Sequence, residues 1–232
     1  MWGVFGPDEW TAILLSLKVG AIATAASLPP AIAIAWLLAR REFWGKSLLD
    51  GFVHLPLVLP PVVTGYALLV LFGRRGVFGA FLADHLGLVF SFRWTGAALA
   101  AGVMGFPLMV RAVRLSIEAI DVRIEQAAAT LGAPPLWIFA TVTLPLAARG
   151  IAAGAVLAFA KALGEFGATI TFVSNIPGQT QTIPSAIYAY TQTPGGEAGA
   201  LKLSIVAAVI ALGALVVSEW SVRRSRRGAR DA

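Results

Sequence analysis

Five stretches of this chain, at about residues 11–39, 49–72, 94–113, 144–166 and 200–221, are apolar over the length a helix needs to cross a lipid bilayer. A hydrocarbon core about 30 Å thick takes roughly 20 helical residues. No water is available there to bond an exposed N–H or C=O, so a spanning segment must satisfy its own backbone, as a helix does. Composition agrees: 58% of residues are hydrophobic and 13% charged, against about 45–50% and about 25% in soluble domains. The chain therefore reads as an all-α integral membrane protein with about five transmembrane helices in one domain, residues 1–232. Asp8 and Glu9 stand where a signal peptide would be basic, and the apolar stretch after them is too long for one, so it is expected to be retained as the first span.

Prolines interrupt these stretches: Pro29 and Pro30 in the first, Pro56, Pro60 and Pro61 in the second, Pro107 in the third. Each removes a backbone donor, and in a bundle neighbouring helices or water re-satisfy the freed carbonyls. Pro60–Pro61 marks either a kink that serves packing or a broken helix that lines a path.

Charge sets the orientation, because Lys and Arg collect on the cytoplasmic side. Arg40, Arg41 and Lys46 follow the first span; Arg111, Arg114, Arg123 and Arg149 lie around the segment between the third and fourth; Arg223, Arg224, Arg226, Arg227 and Arg230 form the tail. Five spans put all of these on one side and Arg74, Arg75, Arg93 and Lys202 on the other. The expected topology is N-terminus outside, C-terminus inside. Trp10, Trp36, Trp94 and Trp220 fall near span ends, where interfacial aromatics gather. Residues 74–93 are too short an apolar run to span and suit an amphipathic helix at the outer surface. Residues 167–199, rich in Thr, Pro and Gly, suit a re-entrant or surface excursion rather than a sixth span.

Several function classes are excluded. The chain has no Cys, and His54 and His85 lack partner ligands, so neither disulfides nor a metal site is expected. Gly45-Lys46-Ser47 matches the end of a phosphate-binding P-loop, but Arg40 stands where its first Gly belongs. No Ser/His/Asp set or carboxylate pair suggests catalysis. The expected surroundings are lipid, not nucleic acid.

The segment from Glu118 to Pro145 is the most informative. It reads as a short helix, a stop at Gly132, a second short helix opened by Pro134-Pro135, and Leu144-Pro145 leading into the next span. Ala127, Ala128 and Ala129 give the first helix a small surface, a knob that a groove on another protein can grip. Trp137 and Phe139 would pack into the same groove. Gln126-Ala127-Ala128, Gly132, Val142 and Leu144-Pro145 resemble the cytoplasmic "EAA" loop of ABC-importer permeases: Glu-Ala-Ala, three residues, Gly, nine residues, Ile or Val, one residue, Leu-Pro. Gln126 occupies the position of the acid and Glu125 precedes it. A charged contact to an ATPase either rests with Glu125 or is replaced by an amide.

Further segments resemble the molybdate-transport branch of these permeases: His54 to Pro61, Gly73-Arg74-Arg75-Gly76, Phe106 to Arg111, Leu163 to Ala168 with Thr169 to Pro177, and Thr193 to Glu197. The resemblance implies a MetI-like type I importer permease fold with a cytoplasmic coupling loop at 114–143. Glu125, Gln126, Ala127, Ala128, Gly132, Trp137, Leu144 and Pro145 would form the ATPase-coupling surface. It also implies a homodimer in the cytoplasmic (inner) membrane of a bacterium, with two ABC ATPase subunits inside and a periplasmic or extracellular oxyanion-binding protein outside. ATP and Mg would be used by the ATPase, with no cofactor bound by this chain. The cargo would be molybdate, or alternatively sulfate or tungstate.

Candidates for the path or its gate are Pro60, Pro61, Thr64, Lys161, Glu165, Thr169, Ser174 and Asn175. Ionisable groups at membrane depth are functional candidates. Lys161 and Glu165, four apart on one helix face, form either a structural pair or a bias of the outer mouth toward an oxyanion. Hydroxyls at Thr64, Thr169 and Ser174 and the Asn175 amide suit a tetrahedral oxyanion, or interhelical contacts. A secondary transporter driven by an ion gradient is the rival reading, but it would carry an inverted repeat, and none is apparent.

Overall fold

A computed structural model describes the backbone of residues 5–228 and the side chains of residues 5–216. Helix α1 (Pro7–Arg40) is followed by α2 (Lys46–Val58), α3 (Pro61–Phe72), α4 (Val77–Leu86) and α5 (Trp94–Glu118). Then come α6 (Val122–Thr130), α7 (Pro135–Ile138), a π-helical turn (Phe139–Thr143) and α8 (Leu144–Leu163). The short helices α9 (Gly167–Val173) and α10 (Ile183–Thr191) precede α11 (Glu197–Gly228). Among the described residues four helical runs are long and apolar enough to cross a membrane: Pro7–Arg40, Trp94–Glu118, Pro135–Leu163 and Glu197–Val216.

The second expected span is not one straight helix. It breaks at Leu59–Pro60, and α2 and α3 meet at 114°. Leu59 is extended at φ −71°, ψ 143°, the conformation that a following proline imposes. At the far end of α5, the Phe72 ring of α3 stands edge-on to Phe90, 6.1 Å away and just before Trp94. At the near end, Asp50 of α2 pairs with Arg114. The pair therefore reaches both ends of α5; counted as one bent span, it brings the candidate crossings among the described residues from four to five. The Pro29–Pro30 interruption does not occur, because α1 runs through both prolines. Ala31 and Ala35 just beyond them are fully buried in a core with Met109, Val110 and Val113 of α5, and that packing holds the helix line.

The centre of the bundle is α1, α5 and α8, packed through small residues. Along α8, Gly150, Gly154 and Ala158 recur every fourth residue, Gly150 against Ser116, Gly154 against Ala112 and Met109, and Ala158 against Gly105 of α5. A Cβ on Gly150 would overlap the Ser116 side chain, and one on Gly154 would lie 3.2 Å from the Ala112 Cβ. Lipid tails are as apolar as leucine, so helices in a bilayer are joined by such close packing rather than by the hydrophobic effect.

Between α5, which ends at Glu118, and the helical run that starts at Pro135, the chain forms α6. Within residues 74–93 the chain forms α4, and within 167–199 it forms α9 and α10, neither long enough to span. Ile183 at the start of α10 donates its N–H to the Ser16 hydroxyl of α1 at 2.7 Å, which ties that excursion to the bundle. Trp36 stands edge-on to Phe139 at 5.6 Å, and Trp94 lies 3.8 Å beneath the Lys18 ammonium. Lys18 is thus engaged in a cation–π contact. Trp220 and the tail arginines lie outside the residues whose side chains are described.

Candidate coupling surface and translocation path

Helices α6 and α7 stand at one end of the bundle with most of their apolar side chains uncovered, Ile138 being the buried exception. Asp121 caps α6 by accepting the Arg123 N–H at 2.9 Å, and α6 ends at Gly132, whose φ of 83° is a left-handed stop. Pro135 opens α7. No residue of α6 is fully buried. Gln126 and Ala127 are exposed, Ala128 half-buried and Pro145 exposed, while Leu144 is half-buried. Leu131 is 89% exposed, Leu136 84% and Trp137 59%. Phe139 differs from the expectation for it: its ring packs against Trp36.

Glu125 is the inward-facing member of α6. Its Oε1 accepts the Thr143 hydroxyl at 2.6 Å, and its Oε2 lies 2.9 Å from Arg40 Nε. Arg40 also donates through Nη2 to the Ile120 carbonyl just beyond α5, at 3.1 Å. Beside it, Arg114 donates to Glu118 at 2.7 Å and to Asp50 at 3.2 Å. The ends of α1, α2, α5, α6 and α8 thus meet in a polar layer. Arg40, Arg114 and Thr143 were not legible as parts of this site, since their partners are distant in sequence; the Thr143-Leu144-Pro145 run was the only local signal. Lys46, the lysine of the partial P-loop, pairs with Glu42 at 2.6 Å.

The path candidates fall into two groups. Pro61, Thr64, Lys161, Glu165 and Thr169 come together where α3 crosses the break between α8 and α9. A Cβ on Gly65 would fall 2.5 Å from the Ala168 carbonyl oxygen, and one on Gly167 2.7 Å from Pro61. Glu165 is buried; its Oε2 accepts from Lys161 at 2.8 Å and its Oε1 accepts the Ala168 N–H at 3.0 Å, capping α9. Thr169 donates to the Phe166 carbonyl at 2.9 Å, so its hydroxyl proton is used within its own helix. The Thr64 hydroxyl is buried without a partner. Pro60 is exposed at the α2–α3 break.

Ser174 and Asn175 lie at the other end of α9, near the start of α5, where Val173 meets Gly96. Ser174 is exposed and holds φ 66°. Asn175 Nδ2 donates to the Ser185 carbonyl at 3.4 Å, while its Oδ1 is buried and unbonded. Among the described residues no group of three or more His, Cys, Asp or Glu is placed to hold a metal ion.

Comparison with known proteins agrees with this architecture. The molybdenum transport system permease protein ModB of Escherichia coli (strain K12) is 61% identical over 221 residues, covering 95% of this chain and 96% of that protein. A bacterial ABC transporter that imports alginate superimposes with a TM-score of 0.74 at 18% identity, over 95% of this chain and 80% of that one. The MetNI methionine ABC transporter, in an inward-facing form, gives 0.66 at 14% identity over 93% of each chain; both share the fold. The model of the family described as the binding-protein-dependent transport system inner membrane component matches residues 31–230, and this chain is a member of that family.

Proposed function

We propose that this chain is the permease subunit of an ABC importer that carries molybdate across the bacterial cytoplasmic membrane. A separate ATPase subunit supplies the energy, and the chain itself is a translocation subunit rather than an enzyme. The observation that carries the reading is the largely uncovered knob of α6 and α7 at one end of a membrane bundle, with Gln126-Ala127-Ala128 on α6, Gly132 between the two helices and Leu144-Pro145 opening α8. The choice of molybdate follows the relative that is 61% identical across nearly all of the chain.

In the assembled importer two copies of the chain form the pathway, with the N-terminus outside and the C-terminus inside. Two ABC ATPases bind Mg and ATP at the cytoplasmic face and grip α6 and α7; an oxyanion-binding protein docks at the outer face. Closure of the ATPases moves the coupling helices and opens the outer mouth, and hydrolysis resets the inward-facing state. The grouping of Pro61, Thr64, Lys161, Glu165 and Thr169 at the α3–α9 crossing supports a gate there, with Pro60 at its hinge. Ser174 and Asn175 contribute polar groups near the outer mouth. Selectivity falls mainly to the binding protein, because a tight membrane site would slow release.

The test is ATP hydrolysis by the complex reconstituted with its binding protein. Molybdate is expected to stimulate it; stimulation by sulfate but not molybdate would reassign the cargo. Uptake that persists with hydrolysis blocked would reject the ABC reading.

A further inference from the structure

We propose that Glu125 is a positioning residue that fastens the coupling helix to the bundle through Arg40 and Thr143, and that its carboxylate is not the group that meets the ATPase. This rests on the reading of α6 as the ATPase-coupling surface.

Helix α6 has little else to hold it. None of its residues is fully buried, and its Asp121 cap is bonded within the same helix. Only Glu125 sends a charged side chain inward, where 15% of it stays exposed against 12% for Arg40. One carboxylate then touches two elements: Oε1 takes the Thr143 proton at 2.6 Å and Oε2 faces Arg40 at 2.9 Å. Arg40 extends the link to the end of α5 through the Ile120 carbonyl. Beyond the backbone links at its two ends and its contacts with α7 and the π-helical turn, α6 is tied to α1 and to the start of α8 through this one side chain.

The local backbone at Thr143 fits this role. Helical threonines commonly bond the carbonyl one turn back, as Thr141 does to Trp137 at 2.7 Å. Thr143 closes a π-helical turn, and its hydroxyl donates to Glu125 instead. Such turns insert an extra residue into a helix and are frequent at functional sites. The Arg40 contact is close in distance but off the hydrogen-bond axis of Nε. It is held by charge rather than by an aligned fork, and it tolerates rotation that a bidentate pair would resist.

The test uses the full importer with its ATPase and binding protein. Compared are Glu125→Gln, Glu125→Arg, and the exchange Arg40→Glu with Glu125→Arg. Because the chain has no cysteine, Arg123→Cys together with Ala33→Cys, both at exposed positions outside the coupling surface, gives a clean spin-label distance between α6 and α1. Glu125→Arg is expected to broaden that distance and to lower ion transported per ATP by about tenfold, while ATPase capture stays within about twofold. Glu125→Gln should do the same to a lesser degree. The exchange should restore the distance and at least half of the transport ratio, which a direct contact with the ATPase would not allow. Loss of ATPase capture in Glu125→Gln without recovery in the exchange would overturn the proposal, as would an unchanged distance and ratio in Glu125→Arg. If instead Ala127→Trp leaves ATPase capture intact, it is the reading of α6 as the coupling surface that fails.

Discussion

Leu136 separates assembly from folding. Its side chain is 84% exposed in the isolated chain, so its own fold gains little from it. If the ATPase groove covers α7, that surface is buried on assembly. Leu136→Ala removes three carbon groups, each worth about 0.8 kcal/mol when buried. Scaled by the exposed fraction, the loss is about 2 kcal/mol, or roughly thirtyfold in the dissociation constant of the ATPase. The assay titrates detergent-solubilised permease with its ATPase and follows binding by fluorescence anisotropy, with thermal denaturation of the permease alone as control. The expected result is a weaker ATPase and an unchanged melting temperature. Unchanged affinity would refute the placement of α7 in the groove. A lowered melting temperature would show that Leu136 is packed in the free chain, against the exposure used here.

Gly150→Leu should lower the melting temperature of the solubilised permease, because its first added carbon already overlaps Ser116 and overpacking costs about 1–3 kcal/mol. Lys161→Met should destabilise by about 2–3 kcal/mol, less than a fully buried pair because Lys161 is 32% exposed while Glu165 is 1% exposed; Lys161→Met with Glu165→Gln should recover most of that loss in the same melt. Gly132→Val meets no neighbour within 4 Å but must hold φ 83°, a strain of about 1–2 kcal/mol. It should impair ATPase capture and uptake and leave the amount of permease in the membrane unchanged.

Four of the expected crossings were legible because each needs a long apolar run. What followed each proline pair was not. Pro29–Pro30 and Pro60–Pro61 carry the same local signal, yet α1 continues and the second span breaks. The difference is tertiary: Ala31 and Ala35 are clamped against α5, whereas Val58, Pro60, Pro61 and Val62 are exposed and nothing opposes the bend. In the candidate coupling segment the helix stop and the small surface were written locally, in Gly132 and Ala127. The direction in which Glu125 points was not, since it depends on Arg40 and Thr143 arriving from distant parts of the chain. The Lys161–Glu165 pair was legible from its spacing alone, but the capping of α9 by the same carboxylate depends on the turn at Gly164.

The glycine seam between α5 and α8 has a mechanical consequence. With backbones so close there are few side-chain rotamers to soak up a displacement, so the two helices act as a stiff beam. At 1.5 Å per residue, the 25 residues of α5 make a lever about 37 Å long. Turned by about 10° at one end, such a lever sweeps its other end through about 6 Å. A rotation of α5 is thereby carried along its whole length together with α8 instead of being absorbed by side chains between them.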